Sequence, residues 1–183
     1  MSNFTFIETE IPGVFLIETK VYGDERGYFA ETYKEPDFRA AGLDYRFVQD
    51  NQSLSRRGVL RGLHFQRNYP QAKLVRVLRG EVFDVAVDLR GGSETYGRWV
   101  GAVLSAENRR QLMIPRGFAH GFLVLSEEAE FAYKCDEVYH PGDEGGIAWD
   151  DPDIGVRWPD AGEIVLSEKD KHHPTLAESG VRF

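Results

Sequence analysis

A chain of 183 residues, 42% of them apolar and without a Pro/Gly/Ser-rich linker, can bury one sizeable core and reads as one domain, 1–183, with an N-terminal set of strands and a C-terminal extension. A formal charge of −8 excludes the broad basic face that nonspecific nucleic-acid binding needs, and no apolar run approaches the length of a membrane span. The first residues lack a signal peptide's basic and apolar regions and the single cysteine, Cys135, cannot form an internal disulfide, so a cytoplasmic protein is expected.

In chain order, β-prone runs at 4–7, 14–21 and 28–33 are separated by Pro12-Gly13 and by Gly23-Asp24-Glu25-Arg26-Gly27, which are turn chemistry. Pro36 near a start and Gly42 just past a stop predict a short helix over 36–41. Strands are then expected at 46–52, 59–66, 74–78, 82–89, 98–104, 111–115, 117–125 and 129–139. Within 82–89, Phe83, Val85, Val87 and Leu89 share one face and Asp84, Ala86 and Asp88 the other, the period of a half-buried strand. Beyond Tyr139, a stretch rich in Asp, Gly and Pro, with Trp149 and Trp158, predicts ordered irregular structure and a short helix near 167–171. Many short antiparallel strands at regular spacing imply a β-sandwich or barrel.

One stretch reverses the sign of the chain. From Arg56 to Arg79 it carries seven basic residues (Arg56, Arg57, Arg61, Arg67, Lys73, Arg76 and Arg79) and no Asp or Glu. A small anion bound in a pocket fits that local reversal.

Gly58, His64, Gln66, Lys73 and Gly80 fall in the order of the first cupin motif, and Pro115-Arg116-Gly117-Phe118-Ala119-His120 matches the core of the second. The chain therefore resembles the cupin superfamily, and the resemblance implies an all-β fold, a cupin-type jelly-roll β-barrel with short flanking helices and an internal pocket. Two of the positions that hold a metal in metal-binding cupins are Gln66 and Lys73 here. An amide is a poor ligand and an ammonium is none, so His64 and His120 alone are too few, and no metal or other cofactor is expected.

A pocket with a histidine and a lysine suits proton transfer beside a stabilised negative charge. Imidazole titrates near neutral pH. For a carbon acid roughly a dozen pK units above it, the mismatch is about 16 kcal/mol at 1.36 kcal/mol per unit, so a fixed cation such as Lys73 must stabilise the enolate oxygen. Inversion also needs an acid on the opposite face of the carbon. Tyr133, on a strand face with Phe131 and Cys135, is the candidate.

Arg61-Gly62-Leu63-His64-Phe65-Gln66, Lys73, the block from Pro115 to Phe122, Tyr133, Tyr139 and Ser167-Glu168-Lys169-Asp170 together are similar to the dTDP-4-dehydrorhamnose 3,5-epimerases over nearly the whole chain. The resemblance implies a cofactor-free isomerase that inverts C3 and C5 of dTDP-4-dehydro-6-deoxyglucose. His64 would be the base, Asp170 its orienting carboxylate and Tyr133 the acid. Lys73, with His120, would sit at the sugar carbonyl. Arg61 and Arg26 would meet the diphosphate, and Gln49, Asn51, Tyr139 and Glu144 match further nucleotide or sugar contacts. Arg26, Phe29 and Glu31 would reach a neighbouring subunit's site in a homodimer with exchanged N-terminal strands.

Other readings of these residues stay open at this level. Epimerisation at one carbon only would need the same groups, and a metal-dependent cupin or a non-catalytic sugar-nucleotide binder are further classes. Ser167-x-x-Asp170 is also a helix-capping pattern, and a lysine alternating with Val75 and Val77 can snorkel to solvent. His172 and His173 are expected to be solvated. Arg61 and His64, three apart, would face opposite sides of a regular strand, so sharing a pocket requires a bulge, for which Gly62 is suited.

Overall fold

The computed structural model describes residues 2–183. Two antiparallel sheets form the body. One has six strands in the order β1 (Phe4–Glu8), β2 (Phe15–Thr19), β10 (Gln111–Ile114), β7 (Lys73–Arg79), β12 (Glu128–Cys135) and β5 (Gln49–Arg56). The other has five, ordered β13 (Glu144–Gly146), β6 (Leu60–Gln66), β11 (Phe118–Val124), β8 (Glu81–Asp88) and β9 (Trp99–Ser105). Val75, Val77, Leu112, Ile114 and Phe131 of the first sheet pack on Val82, Ala86, Val100, Leu104, Phe118 and Phe122 of the second, forming the core of a cupin-type jelly roll. A separate hairpin, β3 (Val21–Asp24) with β4 (Gly27–Ala30), pairs only with itself.

Strand β8 corrects the half-buried expectation, because both of its faces are covered. Val82, Asp84 and Ala86 turn toward the barrel core, while Val85, Val87 and Leu89 meet a second apolar layer with Ile154, Trp158, Leu176 and Val181 of the C-terminal segment. The C-terminal segment thus wraps the outer face of the five-stranded sheet. The carboxylates of Asp84 and Asp88 are completely buried. Asp88 is held by Arg90 Nε (2.9 Å) and Nη2 (2.8 Å) and by the hydroxyls of Ser93 and Thr95 (both 2.7 Å).

Other boundaries move for identifiable reasons. The run at 14–21 divides at Lys20: its amide still meets the Asn3 carbonyl in register with β1 at 2.7 Å, and the chain beyond enters the separate β3–β4 hairpin. The strand expected at 46–52 is β5, starting at Gln49 and continuing to Arg56 through a nearly all-polar edge sequence. The one expected at 129–139 stops at Cys135, because the Asp136 side chain takes the Ala72 amide (2.6 Å) and the Arg116 guanidinium (2.8 Å) instead of continuing the ladder. Helix α1 (Glu35–Ala40) lies where Pro36 and Gly42 placed it. Near 167–171 there is only a 3₁₀ turn, Asp170–His172, and a short helix α2 (Leu176–Ser179), closed by a Thr175/Glu178 capping box, follows it. Among the described residues no helix is long and apolar enough to cross a membrane.

The required bulge is present in β6. His64 faces His120 and Arg61 faces Phe122 on β11, so three residues of β6 span two of β11. Gly62 sits there with φ of 142°, and a Cβ on it would lie 2.6 Å from the Gly121 Cα. Glycine is needed for both the conformation and the close approach.

Candidate active site

The bulge turns His64 toward the C-terminal segment, which returns across β6 and β13. Ser167 Oγ accepts the Asp170 amide at 3.1 Å, as a cap would, but the Asp170 carboxylate does not complete a capping box. Its Oδ1 lies 2.6 Å from His64 Nε2. Burial alone would raise the Asp170 carboxyl. The hydrogen bond and charge of His64 and the Ser167 contact outweigh it and hold the group below the ordinary carboxylate value. With Nε2 committed to Asp170, Nδ1 is the nitrogen left to accept a proton.

Opposite His64 in the ladder, His120 is buried, and its Nε2 lies 2.9 Å from Asp84 Oδ2. Burial pushes His120 down against the pull of Asp84, and pushes Asp84 up against the pull of His120. The other Asp84 oxygen is buried with no hydrogen-bond partner among the described residues. Lys73 begins β7 with its ammonium 5.8 Å from the centre of the Tyr133 ring. Burial pushes that ammonium down, opposed by Cys135, Asp84 and Glu144. A lysine that snorkelled to water would not feel this. Tyr133 lies on β12 between Phe131 and Cys135, and its hydroxyl is pushed up by burial and, less, by Cys135 and Glu144, with Arg61 acting the other way. Arg61 holds Ser55 Oγ through Nε (3.1 Å) and Nη2 (3.0 Å).

Two of the cupin metal positions are engaged in other contacts. The Gln66 amide donates to the carbonyls of Tyr69 (2.7 Å) and Val138 (3.2 Å), and its oxygen accepts the His140 amide at 2.8 Å. The side chain is thus consumed in clamping two rim loops, and Lys73 brings a cation.

Gln49, Asn51, Tyr139 and Glu144 are brought together at the rim. Gln49 Oε1 accepts the Tyr139 amide at 2.8 Å, and its amide group donates to Asn51 Oδ1 at 3.1 Å. The Tyr139 hydroxyl donates to Glu144 Oε2 at 3.3 Å, and Lys169 also pairs with Glu144. Asp143 secures this loop by accepting the Asn68 and Tyr69 amides at 3.0 Å. Arg26, Phe29 and Glu31 are elsewhere. The Arg26 side chain is 84% exposed on the hairpin and pairs with Asp24, Phe29 is 66% exposed, and Glu31 accepts from Asn3 Nδ2 at 2.5 Å.

His173 corrects the sequence reading. Only His172 is exposed; the His173 side chain is 9% exposed, its ring lies edge-on to His64 at 5.6 Å, and its Nε2 is 3.4 Å from Asp170 Oδ1. A run of His-His-Pro looks like a polar tail, and the signal that places it, the Thr175/Glu178 capping box that anchors the next turn, was missed. Lys169, Asp84 and Asp143 were likewise not anticipated at the site.

The family model described as dTDP-4-dehydrorhamnose 3,5-epimerase matches residues 8–178. A dTDP-4-dehydrorhamnose 3,5-epimerase of Methanothermobacter thermautotrophicus is 59% identical over 183 residues, covering 99% of both chains. The dTDP-6-deoxy-D-glucose-3,5-epimerase of Legionella pneumophila, solved in complex with dTDP-4-keto-L-rhamnose, superposes with a TM-score of 0.94 at 51% identity, covering 98% of each chain. A 3'-monoepimerase from Streptomyces bikiniensis, solved with dTDP-quinovose, gives a TM-score of 0.89 at 37% identity over 94% of this chain and 88% of that one. The chain is an isomerase and belongs to the dTDP-4-dehydrorhamnose 3,5-epimerase family.

Proposed function

We propose that the protein epimerises dTDP-4-dehydro-6-deoxy-D-glucose at C3 and C5, yielding dTDP-4-dehydro-L-rhamnose without a cofactor. The observation that carries this is the 2.6 Å contact of His64 Nε2 with buried Asp170; His120, the ladder partner of His64, and Lys73, 5.8 Å from the Tyr133 ring, support it. The C4 ketone acidifies both neighbouring C–H bonds. His64 Nδ1 takes the proton, the C–H electron pair becomes the enolate C=C, and the carbonyl pair moves onto O4. Lys73 and the His120–Asp84 pair face that oxygen's developing charge in a site with little water to reorganise. Asp170 stabilises the imidazolium as it forms. Tyr133 then protonates the carbon from the opposite face, and proton return from imidazolium to phenolate, through solvent, restores the enzyme.

The basic stretch gives the diphosphate its counter-charge through Arg61, and Tyr139, held by Gln49 and Glu144, offers an exposed ring for a nucleobase. The protein acts as a homodimer in this reading. Strand β1 pairs with β2, and β2 with the chain's own β10, so the β3–β4 hairpin is the part free to carry Arg26 and Phe29 to a partner. Its exposed Tyr22, Tyr28 and Phe29 are an apolar surface suited to burial there.

Epimerisation at a single carbon is the second reading, favoured by the likeness to the Streptomyces monoepimerase. Incubation in D₂O with dTDP-4-dehydro-6-deoxyglucose separates the two. Loss of both the C3 and C5 proton signals, abolished in His64→Ala, is the expected result. Exchange at C3 alone would establish the monoepimerase, and exchange at neither would overturn the chemistry. Tyr133→Phe should still exchange protons, because the base remains, while inverting poorly.

A further inference from the structure

The Asp170 carboxylate has histidines on two sides. His64 Nε2 lies 2.6 Å from Oδ1 and His173 Nε2 lies 3.4 Å from the same oxygen, with all three donor atoms within 4.8 Å of one another. His173 is not there by accident of a loose tail. Its ring fills the space that a side chain at residue 146 would take: a Cβ on Gly146 would fall 2.4 Å from its Cε1 and Nε2. Gly146 is itself the ladder partner of His64 on β13. The glycine therefore brings the second imidazole against the first. The His173 side chain is 9% exposed, and its Nε2 is buried with no hydrogen bond among the described residues, aimed at the carboxylate without meeting it.

From this geometry we propose that His64, Asp170 and His173 form a binding site for a divalent transition-metal ion such as zinc, and that the ion acts as an inhibitor by occupying the base. Two imidazole nitrogens and one carboxylate oxygen are a donor set that suits zinc or cobalt. Tetrahedral ligands about 2.0–2.1 Å from an ion stand roughly 3.3 Å apart. The His173–Asp170 separation already has that value, the His64–Asp170 pair must open by about 0.7 Å, and one water completes the shell. The ion replaces the proton now shared between His64 and Asp170. His64 keeps its single proton by carrying it on Nδ1, so that Nε2 presents its lone pair. His173, whose Nε2 has no hydrogen bond among the described residues, likewise presents that lone pair when its proton sits on Nδ1.

The site is distinct from the cupin metal position, whose other ligands are replaced by Gln66 and Lys73, and it shares only His64 with it. Its inhibitory effect rests on the reading of His64 as the base, since a nitrogen ring that is metal-bound and protonated on Nδ1 cannot take a proton from carbon.

Titrating the full-length, chelator-treated protein with cobalt(II) tests the site without using activity. Intense visible d–d absorption saturating at one ion per chain, displaced by zinc and weakened roughly tenfold or more in His173→Gln, is the expected result. Zinc-edge X-ray absorption on the unmutated protein should count two imidazoles and guards against a variant that simply misfolds. No saturable cobalt spectrum, a single imidazole at the zinc edge, or an undiminished spectrum in His173→Gln would each overturn the site. If the spectrum behaves as expected while zinc leaves C3 and C5 proton exchange untouched, the metal site stands and the assignment of His64 as the base falls.

Discussion

Replacing Asp170 with asparagine keeps the shape of the side chain and removes its charge, which isolates what the His64–Asp170 contact contributes. In the proposed reaction His64 becomes a cation only after it has taken a proton from the sugar, so the carboxylate acts chiefly on the transition state and the enolate complex. Two unit charges about 4 Å apart interact by about 4 kcal/mol at an effective dielectric of 20. Asp170 is 4% exposed but the His64 side chain is 27% exposed, so solvent screening reduces this to about 2–3 kcal/mol. At 1.36 kcal/mol per tenfold, proton exchange should slow by about 30- to 150-fold. The assay is the initial rate of deuterium uptake at C3 and C5 at saturating and subsaturating substrate. The loss should appear in kcat with KM nearly unchanged, because Asp170 is behind the base and away from the rim residues. An Asp170→Asn enzyme within a factor of about three of the parent rate would refute the claim that the buried carboxylate supports the base.

Lys73→Met should lower the exchange rate by about 10²–10³, as loss of an oxyanion donor does, yet leave the melting temperature unchanged or higher. Burial pushes the Lys73 ammonium down, so the folded state bears a cost for that charge; a clear drop in melting temperature would contradict this. Asp88→Asn tests a carboxyl held at about 2, where hydrogen bonds from Arg90, Thr95 and Ser93 outweigh the opposing effect of burial. A folded value below the ordinary 3.8 contributes stability that is fully present above that value and is lost as pH falls through about 2. Denaturant melts should therefore show the variant about 2–3 kcal/mol weaker at pH 7, with the gap closing between about pH 4 and 2; a gap independent of pH would be the wrong result. Gln66→Leu strands the His140 amide and the carbonyls of Tyr69 and Val138, costing about 2–3 kcal/mol. Because the Val138–His140 loop carries Tyr139, KM should rise more than kcat falls, and the reverse split would place Gln66 in the chemistry.

Much of the site is legible in the sequence because its residues are odd where they stand. His64 and Lys73 interrupt apolar alternation, and the resemblance supplies their order along the chain. The bulge could be inferred too, since a three-residue spacing and a glycine between allow Arg61 and His64 to share a pocket only that way. Asp170 is different. Capping and a contact with His64 are both compatible with the Ser-x-x-Asp spacing, and only coordinates show the amide taking the first and the carboxylate the second. His173 and Asp84 escape the pattern for a shared reason: an alternation rule assigns polar residues to water, whereas here a second layer covers the outer face of β8 and a glycine opens room for an imidazole. The bounds of β5 shift because an edge strand written as Gln-Asp-Asn-Gln-Ser-Leu-Ser-Arg has almost no apolar period to read.

The proposed base and its carboxylate belong to different layers, His64 to the barrel and Asp170 to the segment that wraps it. The pair is thus assembled by docking, and its integrity reports whether that wrap is seated. A rise in temperature that peels the C-terminal layer while the barrel stays folded would separate the two groups, so heat inactivation should precede loss of the β-sheet signal. Hydrogen exchange should find the amide of Asp170 opening earlier than those of β8 beneath it.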